Sequence, residues 1–134
     1  MPARRAMQLA AATGALLTLL SGTVSAQERW AAIAPNQENS SNVVWATTKE
    51  QAKELAVLAC KQSSQTCAAT PASTNGMDHY FAVMCCTSPK NACAAGVGAS
   101  RDGALKEVKT VMFDGGYTKC ELKSYFRAGT GEKG

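Results

Sequence analysis

Six cysteines, Cys60, Cys67, Cys85, Cys86, Cys93 and Cys120, follow an N-terminal stretch that reads as an export signal. An even number of thiols carried into an oxidising compartment is expected to fold as a disulfide framework. Arg4 and Arg5 give the signal its positive start. Leu9–Leu20 is an apolar run too short to span a bilayer, and Val24-Ser25-Ala26 sets small residues at a cleavage site. Removal of residues 1–26 leaves 108 of the 134 residues, enough for one modest core in residues 27–127. Zinc is the rival use for the cysteines, but Cys60 and Cys67 lie too far apart for a knuckle and Cys85-Cys86 are adjacent. No metal and no cofactor is expected.

Charge and composition narrow the class. Without the two arginines of the leader, twelve basic residues face ten acidic ones, too even a balance for a dedicated nucleic-acid binder. A hydrophobic fraction of 46% excludes a solvated, disordered chain. No later segment is apolar enough to span a membrane, so the expectation is an exported protein, periplasmic or extracellular, without stable membrane association.

The chain also repeats itself weakly. Thr48-Lys49-Glu50-Gln51-Ala52 resembles Ser100-Arg101-Asp102-Gly103-Ala104, and Trp30-Ala31-Ala32-Ile33 resembles Tyr80-Phe81-Ala82-Val83. Each half reads as strand, strand, helix, strand. In the first half the strands are Arg29–Ala34, Val43–Ala46 and Cys67–Thr70. Between the last two lies a helix capped by Thr47 or Thr48, with Ala52, Leu55, Ala56 and Ala59 on one face. The loop Pro71–Asp78 leads to the second half. There the strands are Tyr80–Cys86, Cys93–Val97 and Tyr117–Phe126. The helix is capped by Ser100, buries Ala104, Val108, Val111 and Met112, and stops at Gly115-Gly116. Ala128–Gly134 is expected to be a flexible tail. The fold class is therefore α+β: two ββαβ half-repeats forming a mainly antiparallel sheet covered by two helices and stapled by disulfides.

These features resemble the secreted bacterial domain-of-unknown-function family 4189 over roughly residues 29–126. The resemblance is carried by the entry Trp30-Ala31-Ala32-Ile33-Ala34, the alanine-rich capped helix Lys49–Cys60, the Cys60…Cys67 pair, the strand holding Cys85, and the second helix followed by the strand of Cys120. Family members often carry a cysteine where this chain has Met112, and Cys86 and Cys93 are additional. The resemblance implies a secreted domain of this build and no particular activity.

Little reactive chemistry stands out. His79 is the lone histidine, and its neighbours Cys85 and Cys86 are expected to be paired rather than free nucleophiles. Asp78 and His79 with a hydroxyl such as Ser73 would make a small hydrolase, but no nucleophile-elbow motif supports it. The carboxylates are scattered, with no pair singled out for acid–base work. Neighbouring residues of a strand face opposite ways, so Cys85 and Cys86 should take different partners. A two-residue hairpin at Ser88–Asn91 would oppose Cys86 to Cys93, Cys60 would bridge Cys67, and Cys85 would remain for Cys120, one choice among the fifteen pairings that six cysteines allow. On the last strand Cys120, Leu122 and Phe126 should face one way and Lys119, Glu121, Lys123, Tyr125 and Arg127 the other. Lys123, Tyr125 and Arg127 are the candidate contact for a protein partner, since Tyr and Arg are favoured interface anchors. The expected function is non-catalytic binding, as a periplasmic inhibitor or immunity-type protein. The alternatives are a secreted factor acting on a host or competitor, and the Asp78/His79 hydrolase.

Overall fold

A computed structural model describes residues 28–68 and 70–134, so the expected signal peptide and its cleavage site lie outside the described residues. The elements run β1 (Trp30–Ile33), β2 (Val44–Ala46), α1 (Lys49–Lys61), β3 (Ala72–Thr74), β4 (Tyr80–Ser88), β5 (Ala92–Gly98), α2 (Arg101–Asp114) and β6 (Thr118–Arg127). This is ββαβ twice over, an α+β fold with antiparallel pairing throughout. The strands divide into two sheets of three, ordered β2-β1-β3 and β5-β4-β6. Both halves therefore place their first strand in the centre and return the third to its free side.

The layers follow from strand alternation. On β1, Ala31 and Ile33 meet Phe81, Val83 and Phe126 of the second sheet, while Ala32 and Ala34 lie under Ala52, Ala56 and Cys60 of α1. On β4, Phe81 and Val83 face the first sheet, while Ala82, Met84 and Cys86 lie under Ala104, Val108 and Met112 of α2. The order is α1, first sheet, second sheet, α2. Each central strand is covered on both faces, which is why Trp30–Ala34 and Tyr80–Cys86 read as unbroken apolar runs.

The helices begin as their sequences dictate. Gln51 N donates to Thr48 Oγ1 at 3.2 Å and Gly103 N donates to Ser100 Oγ at 3.1 Å, each satisfying an amide of the first turn. At the end of α2, Gly116 takes φ +83°, and Tyr117 N reaches back to Met112 O at 3.0 Å. That is a Schellman stop, for which a residue without a Cβ is suited. The buried stripes are narrower than the sequence pattern suggests. Ala52, Ala56 and Cys60 are buried on α1 and Ala104, Val108 and Met112 on α2, whereas Leu55 and Val111 stay about half exposed. The helices lie so close to their sheets that only a thin stripe is covered. On β5, Gly96 makes that approach possible, since a Cβ there would lie 2.5 Å from both Ala104 O and Val108 N.

All six cysteines are paired. Cys60 bridges Cys67, as expected; the other two bridges are Cys85–Cys93 and Cys86–Cys120. The expected Cys86–Cys93 opposition is corrected by one residue: Cys85 faces Cys93 and Cys86 faces Ala92. The connection between the paired residues spans 87–91, one residue longer than a Ser88–Asn91 hairpin, because Ser88 remains paired with Thr118 of β6. A one-residue slip turns every side chain to the other face. The bridged residues have Cα–Cα separations of 4.1 and 3.9 Å, the short spacing of non-hydrogen-bonded antiparallel pairs. A central strand hydrogen-bonds alternately to its two neighbours. A residue in the short spacing on one side is therefore in the long spacing on the other, and adjacent cysteines bridge in opposite directions.

Two further expectations are corrected. The third strand is Ala72–Thr74 rather than Cys67–Thr70, because Cys67 is held at the end of α1 by Cys60 and the chain pairs with β1 only afterwards. Residues 128–134, expected to be a flexible tail, fold back on β6: Arg127 N donates to Glu132 O at 2.9 Å, Gly134 N donates to Tyr125 O at 2.9 Å, and Phe126 bridges Lys133. Ala128 is fully buried, and its carbonyl accepts from Trp45 Nε1 at 2.8 Å. Gly131 turns the hairpin at φ +76° against the Trp45 ring.

Candidate functional site

The strand that carries Lys123, Tyr125 and Arg127 contains a bulge. Met84 pairs with Leu122 and Val83 with Ser124, so Lys123 is the extra residue. A bulge shifts the alternation by one. Leu122 and Tyr125 consequently both pack on the α2 side, and Phe126 turns to the core between the sheets, so the expected common face for Cys120, Leu122 and Phe126 is corrected. The bulged Lys123 has its Nζ 3.5 Å from Glu121, an exposed ion pair of little energetic weight.

Downstream of the bulge, Tyr125 and Arg127 pair with Ala82 and Tyr80 of β4. Arg127 Nη1 donates to the Tyr80 hydroxyl at 2.6 Å, and its guanidinium carbon lies 5.2 Å from the Tyr80 ring centre. Arg101, the first residue of α2, brings a second guanidinium to the same ring at 4.9 Å and to Tyr125 at 6.0 Å, with Nε donating to Gly134 O at 3.0 Å. A cavity of about 90 Å³ lies among Tyr80, Arg101, Arg127, Glu132, Lys133 and Gly134. The structure thus joins Tyr125 and Arg127 to two residues that sequence reasoning missed, Tyr80 and Arg101, and leaves Lys123 outside the stack. The resulting surface is cationic, aromatic and held by hydrogen bonds before any ligand arrives.

His79 is engaged in structure. Its Nδ1 lies 3.0 Å from Thr74 Oγ1, its amide donates to Gly76 O, and its carbonyl accepts from Ala128 N. Asp78 is exposed beside it. Elsewhere, Ser64 and Thr66 hydroxyls both donate to Glu38 Oε1 at 2.7 Å, and these bonds hold the exposed Glu38 carboxyl below its ordinary pKa. The loop that closes the Cys60–Cys67 bridge is tied down in this way. A separate apolar groove runs along α1 between Val57, Leu58 and Pro71, and Leu58 is more than half exposed. Trp30 and Trp45 are both partly buried against core, Trp45 with Arg29 stacked 5.0 Å from its ring.

Among the described residues no helix is long and apolar enough to cross a membrane, and no group of three or more His, Cys, Asp or Glu is placed to hold a metal ion. The three disulfides mark a protein of an oxidising, non-cytoplasmic compartment. Compared with family models, curated proteins and solved structures, the chain matches none.

Proposed function

We propose that the protein is exported, loses residues 1–26, and acts without catalysis by binding a protein partner, as an inhibitor or immunity-type protein of the periplasm. The observation that carries this reading is the preformed Tyr80–Arg101–Tyr125–Arg127 stack at the end of a strand tied covalently to its neighbour. Tyr and Arg are the side chains that most often anchor protein contacts, and groups already ordered lose less entropy on binding. His79 Nδ1 lies 3.0 Å from the Thr74 hydroxyl, a base–hydroxyl pair beside Asp78, so the Asp78/His79 hydrolase stays the alternative reading.

Two measurements test the reading. Intact-mass analysis of the exported protein should give a chain beginning at Gln27; a membrane-held species retaining residues 1–26 would remove the export proposal. A partner captured from periplasmic extract should bind the triple variant Lys123→Ala, Tyr125→Ala, Arg127→Ala about tenfold or more weakly, mainly through faster dissociation. The variant must keep its wild-type circular dichroism for the comparison to stand. Unchanged affinity would move the contact to the Val57–Leu58–Pro71 groove. Hydrolysis of peptidoglycan, peptide or ester substrates that vanishes in His79→Ala would overturn the non-catalytic reading altogether.

A further inference from the structure

We infer that Cys67 is a thiolation site, at which a small thiol enters by exchange and opens the Cys60–Cys67 bridge. Two bridges reach one cavity. A space of about 510 Å³ has both Cys67 and Cys93 in its wall. Each is partly exposed, while its bridge partner is buried, Cys60 at 3% and Cys85 at 4%. An incoming thiolate can therefore reach only the outer sulfur of either bridge, and the buried sulfur must leave. The volume suits a thiol up to the size of a short peptide.

One residue separates the two bridges. Asn36 is fully buried and touches both inner sulfurs. Its Oδ1 accepts from Ser40 N at 2.9 Å, which fixes the orientation of the amide. Nδ2 is thus the atom turned to Cys60 Sγ, 3.5 Å away, with its other proton on Ser40 Oγ at 3.0 Å. Cys85 Sγ instead meets the carbonyl oxygen of Asn36, at 3.6 Å. A departing thiolate gains a charge-assisted hydrogen bond at Cys60 and meets repulsion at Cys85. Ser41 Oγ also lies 3.7 Å from Cys60 Sγ; its proton rests on Ala34 O and can turn to the thiolate. Burial and the negative end of α1 oppose charge on Cys60. That end is blunted, because Gln62 N donates to Ala59 O at 3.3 Å and Ser63 N to Cys60 O at 3.0 Å. Of two buried leaving groups, the one that faces a donor leaves faster.

The exchange balances. The thiolate bonds to Cys67 Sγ as the bridge breaks, and the electron pair leaves on Cys60 Sγ. A second thiolate then attacks the outer sulfur of the mixed disulfide and frees Cys67. Two thiols are oxidised to a disulfide, and their two protons end on Cys60 and Cys67. Before that second attack, Cys60 can expel the thiol and restore the bridge, because Cys67 is held nearby without it: Gln37 N donates to Thr66 Oγ1 at 3.1 Å and Ala68 N to Pro35 O at 2.8 Å.

The exported protein would be incubated without denaturant in reduced glutathione, quenched at intervals in denaturant containing N-ethylmaleimide, and peptide-mapped without reduction. The first product should carry glutathione on Cys67 and maleimide on Cys60, with Cys85–Cys93 and Cys86–Cys120 intact. It should form about tenfold or more faster than any product opened at Cys93. Asn36→Leu removes the donor at similar volume and leaves the amide of exposed Ser40 to water. With its wild-type circular dichroism kept, it should slow opening at Cys67 about tenfold; if it does not fold, the wild-type map decides alone. Glutathione found first on Cys60, Cys93 or Cys120, three bridges lost together, or a folded Asn36→Leu that opens at the wild-type rate would each overturn the site. Opening by reduced thioredoxin but not by glutathione would overturn the small thiol as occupant. The site uses no residue of the Tyr80–Arg101–Tyr125–Arg127 stack, so its failure leaves the partner-capture result untouched.

Discussion

Gly96→Val should leave the protein unable to hold α2 against its sheet. A Cβ at this position would stand 2.5 Å from the carbonyl oxygen of Ala104 and the amide nitrogen of Val108, both main-chain atoms of the helix. Side chains can rotate away from such a clash, but a helix backbone must move as a body, and α2 is fixed along Ala104, Val108 and Met112. Overpacking of a close-packed core costs about 1–3 kcal/mol, and a backbone collision belongs at or beyond the upper end. Gly96→Ala should therefore lower stability by about 3 kcal/mol, and the branched valine should unfold a domain whose whole stability is about 5–15 kcal/mol. Urea denaturation followed by circular dichroism checks both. An unchanged midpoint for the alanine variant would mean that α2 sits farther from β5 than described.

Reduction of the three disulfides should unfold the chain without any denaturant. A bridge stabilises chiefly by restricting the unfolded chain, and more so for a longer loop. Cys86–Cys120 spans 34 residues and should contribute about 4 kcal/mol. Cys60–Cys67 and Cys85–Cys93 span seven and eight and should contribute about 2.5 kcal/mol each. The paired variant Cys86→Ala, Cys120→Ala should accordingly lose more stability than Cys60→Ala, Cys67→Ala. Equal losses in the two pairs would show that loop entropy does not govern the effect, and a reduced protein that kept its native spectrum would show that the core alone suffices.

The parts of this architecture that depend on neighbours in sequence were legible in it. Thr48 and Ser100 announce their helices because a cap is a matter of three residues, and Gly115-Gly116 announces the stop for the same reason. The Cys60–Cys67 bridge is likewise local. What escaped was set by distant partners. Whether Thr87 belongs to the hairpin turn or to the strand depends on β6, thirty residues on, so the Cys85–Cys93 register could not be read from the hairpin itself. The bulge at Lys123 has no glycine or proline to mark it, and without it Phe126 and Tyr125 exchange faces. Ala72-Ser73-Thr74 is too short and polar to look like a strand until β1 supplies its partner. The candidate site suffered most: Tyr80, Arg101 and Arg127 lie on three different elements, brought together by the pairing of β6 with β4 and the packing of α2 on the second sheet.

The adjacent cysteines of β4 have a mechanical consequence. A force on Arg127 acts on the C-terminal end of β6 and would ordinarily peel that strand from the sheet like tape. Peeling back to Cys120 would strip most of β6 from β4, but the covalent link to Cys86 keeps the strand tethered there, while Cys85 anchors β4 to β5 one residue away. Load that strips the hydrogen bonds of β6 then passes through sulfur to β4 and on to β5, so the three strands stay cross-tied after the ladder is lost.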